Sequence, residues 1–168
     1  MSLLTTESKN IAVIGLLNPD QEIEAVEREL VAGMVENGAV IVSGLALGCD
    51  TVAHRQALDS KGRTVAILPG PLNDVLPTKN RGLAEEIVKN NGLLISEYLT
   101  SAKSKTELSG RYQERDRLQA LYSNSIVLAA SYAKNDIGND SGSRLAMGYA
   151  RDYSIPRVVI YDREINRS

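Results

Sequence analysis

Six short apolar runs recur along the 168-residue chain, and segments with helical spacing lie between them. The runs are residues 11–15, 39–43, 64–68, 93–96, 126–130 and 157–161, and the helical segments are 21–36, 51–60, 78–90, 112–122 and 141–153. Short β-branched runs that alternate with helices are typical of a parallel sheet buried on both faces. The sequence therefore predicts an α/β fold with three layers, a mostly parallel sheet with helices on both faces.

This architecture predicts where a ligand would bind. Right-handed crossovers place every loop that follows a strand at the same edge of the sheet. Ligands of such sheets bind at the carboxyl ends of the strands, near the point where the strand order reverses. We therefore expect the loops at 43–48, 69–72, 97–110 and 130–143 to line a single cleft.

The run from Val40 to His54 carries the strongest local signal for an anion site. A buried strand runs into Ser43 and Gly44, a second glycine follows at Gly48, and a helix is predicted to begin immediately afterwards. Glycines allow the backbone to approach a phosphate closely, and the unpaired N–H groups of a first helical turn attract anions. We predict that Ser43, Gly44, Leu45 and Gly48 bind phosphate. The alternative is a tight strand-to-helix turn whose glycines serve only packing.

Composition limits the classes of function. The formal net charge is −2, so any binding to nucleic acid has to come from a local basic patch. No apolar run approaches the roughly 18 residues of a membrane span. One cysteine and one histidine exclude an internal disulfide and a typical zinc site, and they fit a reducing cytoplasm. We expect a cytoplasmic protein that holds no metal and no cofactor.

The domain organisation predicted from these patterns is simple. Residues 1–10 are polar and are expected to be disordered, residues 11–162 form one domain, and residues 163–168 form a tail. The stretch 100–110 lacks apolar periodicity and is expected to be a surface loop, as is the polar stretch 134–140. Ser141, Gly142 and Ser143 are expected to open the helix that follows.

Four chemically active side chains have structural alternatives. His54 is more readily explained as a structural histidine than as a general base, because no nucleophile and orienting group accompany it. Cys49 is expected to act as a small hydrophobic residue, although a helix N-terminus can lower a thiol pKa. Asp50 is expected to cap the helix. Glu97 is predicted either to contact a ligand or to pair with Arg115.

The segment from Ile41 to His54, followed by Ala57 and Leu58, closely resembles the signature of the DprA/Smf family of DNA-processing proteins. Further similarity lies at 62–68, Pro77, Asn80–Arg81, Leu83–Ala84, 94–98, Tyr112, 115–117, 141–143 and Ala146. The resemblance covers residues 11–160.

Membership would imply a Rossmann-like fold and a non-catalytic protein that binds single-stranded DNA in a positively charged pocket. It would also imply homodimerisation and delivery of DNA to a RecA-type recombinase in natural transformation. On this resemblance, the expected DNA contacts are Tyr112 with a base and Arg115 with a phosphate, together with Arg117, Ser141, Gly142 and Ser143. An aromatic ring and arginines beside an anion-binding loop suit stacked bases and phosphates.

This chain departs from the family pattern at several positions. Leu16 and Leu17 follow Gly15, where the family usually has Ser-Arg, and Glu114 and Asp116 introduce acids beside the arginines. The chain also has no room for the family's accessory domains, which predicts a stand-alone core domain. The missing cation and the acidic balance leave open a nucleotide-binding or nucleotide-processing module of the wider lonely-guy-like superfamily. A dimerisation module that acts with a separate partner is a third alternative.

Overall fold

The computed structural model describes residues 3–4, 7–132 and 141–160. Six parallel strands form one sheet in the order β4-β3-β2-β1-β5-β6. The strands are β1 (Lys9–Ile14), β2 (Ala39–Ser43), β3 (Arg63–Leu68), β4 (Leu93–Ser96), β5 (Ser125–Leu128) and β6 (Arg157–Val159). The helices are α1 (Gln21–Glu36), α2 (Cys49–Asp59), α3 (Arg81–Lys89), α4 (Lys105–Leu121) and α5 (Ser141–Asp152), with a short 3-10 turn at Thr78–Asn80. The predicted Rossmann-like α/β fold is confirmed.

Alternate residues of the central strands supply the two faces of the core. In β1, Ala12 and Ile14 pack with residues of α4 and α5, whereas Val13 packs with residues of α1 and α2. Helix α3 covers β3 through a third cluster that includes Leu68 and Ile87. Both faces of the sheet are therefore buried, which is why the strands read as continuous apolar runs in the sequence.

The strand order reverses between β1 and β5. The chain builds outward from β1 to β4, then returns across the sheet through α4 to place β5 on the other side of β1. The loops that follow β1 and β5 therefore diverge, and a crevice opens between them at the carboxyl ends of the strands.

Helix α4 begins seven residues before its predicted start at residue 112, so much of the predicted loop at 100–110 is helical. The N-cap is Ser104, whose hydroxyl accepts a hydrogen bond from the backbone N–H of Glu107 at 3.1 Å. The Glu107 carboxylate accepts in return from the backbone N–H of Lys103 at 2.8 Å. This is close to a capping box, which starts a helix without any apolar periodicity.

The ends of the chain differ in detail from the sequence prediction. Strand β1 begins at Lys9, within the segment expected to be disordered, and Leu3 and Leu4 pack against the core. Strand β6 covers Arg157–Val159, shorter than the predicted 157–161. The predicted polar loop at 134–140 and the tail at 163–168 lie outside the described residues. Within the described ranges, no helix has the length and apolar character to cross a membrane.

Helix α1 carries a carboxyl group inside the fold, on the face that packs on the sheet. Glu27 is 1% exposed, and neither of its oxygens has a hydrogen-bond partner among the described residues. Burial, with a smaller contribution from the Asp50 carboxylate, raises the pKa of Glu27 to about 8 against the lowering by the adjacent Cys49 thiol. The folded protein therefore holds this carboxyl protonated at neutral pH, because the ionised form would lose its hydration without compensation.

We predict that Glu27 makes the protein less stable as pH rises. The folded pKa of about 8 exceeds the unfolded value of 4.5, so the free energy of unfolding falls as pH rises through that window and changes no further through Glu27 above pH 8. Between pH 6 and 8, the melting temperature should fall by roughly 5 °C more in the wild type than in Glu27→Gln, since the linkage is worth about 2 kcal/mol there. Glu29→Gln, an exposed substitution on the same helix, is the control. If the melting temperatures of the three proteins fall by the same amount between pH 6 and 8, the raised pKa of Glu27 is contradicted.

Candidate functional site

A cleft of about 340 Å³ opens at the carboxyl edge of the sheet, at the reversal of strand order. Its walls come from the ends of β1 and the loop after it, the β2–α2 segment, and the facing sides of α4 and α5. The lining residues are Ile14, Gly15, Leu17, Ala46, Leu47, Asp50, Pro77, Tyr112, Arg115, Asp116, Gln119, Gly142 and Ser143. The predicted loops at 69–72 and 97–110 contribute none of these residues.

The anion at the glycine corner is supplied by the protein itself. One carboxylate oxygen of Asp50 accepts hydrogen bonds from the backbone N–H groups of Gly44 and Ala46, both at 3.1 Å. These N–H groups were expected to meet a phosphate, and they are already satisfied. Asp50 was expected to cap α2, but the N-cap is Gly48, and Asp50 lies in the first turn of the helix. The corner is therefore anion-binding in character, with an internal carboxylate as its anion.

Arg115 closes the corner from the side of α4. Its Nη1 lies 3.7 Å from Asp50 Oδ2 and donates a 3.4 Å hydrogen bond to the carbonyl oxygen of Ile67. A Cβ atom at Gly44 would lie 1.1 Å from Nη1, so glycine is needed there for the guanidinium to fit. Burial raises the pKa of Asp50 above its usual value, although Arg115 and the two backbone amides oppose this shift by stabilising the carboxylate.

A second carboxyl group, Asp116, lies on the other side of the guanidinium. Its Oδ1 is 3.3 Å from Arg115 Nε and accepts a 3.1 Å hydrogen bond from Gln119 Nε2. Burial, with a smaller contribution from the nearby Asp50 carboxylate, raises the pKa of Asp116 to about 7 against the lowering by Arg115 and Gln119. One guanidinium therefore lies between two carboxyl groups.

Tyr112 forms the aromatic wall of the cleft. The Arg115 guanidinium carbon lies 5.6 Å from the centre of its ring, within the range of a cation–π contact. Burial raises the pKa of the Tyr112 hydroxyl, so it remains protonated at neutral pH. The ring is partly exposed and is the aromatic surface that the described cleft offers for stacking.

Helix α5 begins at the opposite wall. Ser143 is buried and donates its hydroxyl to the carbonyl oxygen of Gly15 at 3.1 Å. Gly142 lies against Asp116, because a Cβ atom at Gly142 would be 3.4 Å from Asp116 Oδ2. Ser141 opens the helix as predicted, but its side chain lies outside the described part of the structure.

Three predicted contacts lie beneath the cleft and not on its surface. Ser43 is fully buried and donates to the carbonyl oxygen of Val13 at 2.7 Å, and Leu45 is fully buried in the core. Gly48 has a φ of +73°, and a Cβ there would lie 2.2 Å from the carbonyl oxygen of Leu16. These residues shape the strand-to-helix turn, in agreement with the alternative that this loop serves packing.

Arg117 lies outside the cleft and points toward the end of β4. Its Nη2 lies 2.6 Å from both carboxylate oxygens of Glu97, and this hydrogen bonding raises the pKa of Arg117. Glu97 is therefore the partner of Arg117 and not of Arg115. The two arginines lie two residues apart on α4, about 200° around the helix, so only one of them can face the cleft.

The candidate acid–base residues are held in structural contacts. His54 is buried, and its hydrogen bond is a structural one. The Thr64 hydroxyl already donates to the carbonyl oxygen of Ile41, so His54 Nδ1 is the donor in the 2.7 Å hydrogen bond to Thr64 Oγ1. Burial lowers the pKa of His54 to about 3, so the ring stays neutral. Burial and the adjacent Glu27 raise the pKa of the Cys49 thiol despite its helix N-terminal position. In the described ranges, no group of three or more His, Cys, Asp or Glu side chains could hold a metal ion.

Two residues of the site carry roles that the sequence reasoning missed. The side-chain amide of Asn80 donates to the carbonyl oxygens of Leu45 and Ala46 and to the hydroxyl of Thr51, which fixes the glycine loop. Gln119 was missed although it lies seven residues after Tyr112, which places it on the same helix face. That spacing is the sequence signal that could have found it.

Comparison with known proteins assigns the chain to a family. The family model described as DNA recombination-mediator protein A matches residues 2–167. Protein Smf of Synechocystis is 31% identical over 144 residues, which is 86% of this chain and 34% of the relative. The chain therefore spans about a third of that relative's length.

Solved structures agree with this assignment. DNA processing protein A from Streptococcus pneumoniae superimposes with a TM-score of 0.78 at 25% identity, over 95% of this chain and 53% of that one. DNA processing protein A from Helicobacter pylori, whose structure was described for its single-stranded DNA binding mode, superimposes with a TM-score of 0.77. It is 31% identical over 95% of this chain and 68% of that one.

We predict that Gly44→Ala destabilises the protein strongly. The new methyl group would occupy the position of Arg115 Nη1 and would separate this guanidinium from Asp50. Breaking a buried ion pair costs roughly 3–5 kcal/mol, so the free energy of unfolding in urea should fall by about that amount. Gly33→Ala is the matched control, because nothing lies within 4 Å of a Cβ there. It should stabilise α1 by about 0.5–1 kcal/mol. Equal stability of the two variants would contradict the described corner.

Proposed function

Because this chain belongs to the DNA recombination-mediator protein A family, we propose that it binds single-stranded DNA in the cleft between α4 and α5 and acts in DNA processing and recombination. The observation that carries the proposal is the cleft itself. At the reversal of strand order, it presents the ring of Tyr112 beside Arg115 and the first turn of α5. Stacking surfaces and helix N-termini are the features with which proteins hold single strands and their phosphates.

The charges of the cleft favour a binding mode in which stacking contributes more than phosphate neutralisation. Arg115 is only 5% exposed and lies between Asp50 and Asp116, so its charge is largely compensated inside the protein. The start of α5, at Gly142 and Ser143, contributes a partial positive charge at the edge of the cleft. Affinity should therefore depend on salt with a shallow slope, near that of one or two phosphate contacts.

We propose a role in binding without a chemical step. The side chains that could act as acid, base or nucleophile serve other contacts: His54 bonds to Thr64, and Cys49 packs in the core beside Gly15. Asp116 is the exception, since it lines the cleft with a pKa near neutral. The Ser143 hydroxyl also lines the cleft, but it donates to the carbonyl oxygen of Gly15, and we interpret Asp116 as a recognition group.

The wider role follows from the family and forms part of the same proposal. The family is described as a recombination mediator, so we propose that the protein acts as a homodimer and passes DNA to a RecA-type recombinase. Natural transformation is the process in which we expect it to serve, in the cytoplasm. Light scattering of the purified protein tests the dimer, and co-sedimentation with recombinase filaments tests the contact.

A mononucleotide is the second candidate ligand. The glycine corner is closed by Asp50 and Arg115, and the cleft of about 340 Å³ matches a small ligand in size. Thermal-shift measurements with nucleoside monophosphates distinguish the two candidates. A shift with nucleotides and no binding of oligonucleotides at low salt would favour the nucleotide-binding module and would overturn the DNA proposal.

We predict that Tyr112→Leu weakens the binding of a fluorescein-labelled dT oligonucleotide about tenfold in fluorescence anisotropy at low salt. The loss of one aromatic stacking platform is worth about 1–3 kcal/mol per base. Tyr122→Leu is the matched control: Tyr122 caps the carboxyl end of the same helix and does not line the cleft. It should bind like the wild type. An equal loss of affinity in both variants would exclude this cleft as the DNA site. So would a folded wild-type protein that does not bind the oligonucleotide at 20 mM salt.

A further inference from the structure

We propose that the cleft selects a guanine base from the bound strand, through an acceptor wall formed by Asp116 and Gln119. This inference rests on the proposed function and deepens it, since it names the part of the nucleic acid that enters the cleft. The two side chains lie on the inner side of α4, one helical turn apart, and both line the cleft. They are 4% and 3% exposed, so they belong to its interior and not to its rim.

The hydrogen bonds of this pair leave one buried acceptor without a donor. Gln119 gives its amide nitrogen to Asp116 Oδ1, and this bond fixes the orientation of the amide. The amide oxygen, Gln119 Oε1, is buried and has no partner among the described residues. The other carboxylate oxygen, Asp116 Oδ2, lies beside Gly142 at the opposite wall of the cleft. A buried acceptor without a donor is costly, so a ligand that brings N–H groups gains from meeting it.

Guanine fits such a wall better than the other bases. Its Watson–Crick edge carries two adjacent donors, the N1–H and the 2-amino group. Asp116 Oδ2 and Gln119 Oε1 are the acceptors for them, since Asp116 Oδ1 already accepts from Gln119. Thymine offers one N–H between two carbonyl oxygens, which an acceptor wall repels. Hypoxanthine keeps the N1–H of guanine and lacks only the amino group. Discrimination by such paired hydrogen bonds is worth about 1–3 kcal/mol.

The rest of the cleft suits the body of a base. Leu17, Leu47 and Pro77 contribute apolar surface, and the Tyr112 ring is available for stacking. A phosphate at the same wall would meet the Asp116 carboxylate and would be repelled. The base therefore enters the cleft with its Watson–Crick edge toward this wall.

The charges around Asp116 predict how this preference changes with pH. Within the described residues, the groups that face Asp116 are Asp50 of α2, Arg115 and Gln119 of α4, and Gly142 of α5. The pKa of about 7 means that ionisation is half complete at neutral pH. Because guanine binds the ionised carboxylate, its preference should increase from pH 6 to pH 8. Phosphate binding at this wall would change in the opposite direction.

The test compares three labelled 11-mers of dT in which the central base is guanine, hypoxanthine or thymine. Anisotropy at pH 8 and low salt should show the guanine oligonucleotide binding about tenfold more tightly than the thymine one, with hypoxanthine between them. In Asp116→Asn, this preference should shrink to within about twofold, while the affinity for the all-dT strand is kept or improved. Asp152→Asn, an exposed carboxylate of α5, is the matched control and should keep the preference.

Each outcome decides between the two proposals. Equal binding of the three strands by the wild type overturns base selection and leaves the DNA-binding proposal standing. A guanine preference that weakens from pH 6 to pH 8 also overturns it, and this measurement needs only the wild type, so it stands even if Asp116→Asn does not fold. Absence of binding to every strand overturns both proposals.

Discussion

The structure depends on a carboxylate held inside a glycine corner. Asp50 binds the backbone N–H groups of Gly44 and Ala46, and Arg115 reaches across from α4 to meet it. This contact joins the turn after β2 to the helix on the opposite wall of the cleft. It also takes up the positive potential that a glycine corner and a helix N-terminus would otherwise offer to a ligand. The cleft that remains is polar on one wall and apolar elsewhere, and its charges are already paired.

Much of the fold follows from the sequence, because a parallel sheet covered on both faces leaves a clear periodic record. The apolar runs around Ile11, Val40, Val65 and Ile126 each become a buried strand, and asparagine caps the carboxyl ends of α1 and α3. The start of α4 could not be found in this way. Its first two turns carry few apolar residues, and the signal lies in Ser104 and Glu107, a capping pair that acts through hydrogen bonds and leaves no hydrophobic pattern.

The site was only partly predictable, for a physical reason. A glycine loop in the sequence indicates that backbone N–H groups are available, but it does not indicate which anion binds them. Asp50, six residues after Gly44 in the chain, competes with any ligand at an effective concentration that no phosphate in solution matches. Arg117 was expected beside Arg115, and the direction of its side chain was decided by the nearby carboxylate of Glu97. Tyr112 and Arg115 were expected at the cleft from the family resemblance, and both line it.

Helix α4 presents its functional groups at positions i, i+3, i+4 and i+7, namely Tyr112, Arg115, Asp116 and Gln119. Successive residues of a helix are 100° apart, so an insertion or deletion of one residue upstream within α4 would turn all four away together. The helix could persist after such a change, since its surface pairs and cap are local, but the cleft would receive an unrelated set of side chains. Natural homologues should therefore vary in length in the loop before Ser104 and not within the helix. The spacing of these four residues should be kept more strictly than their identities.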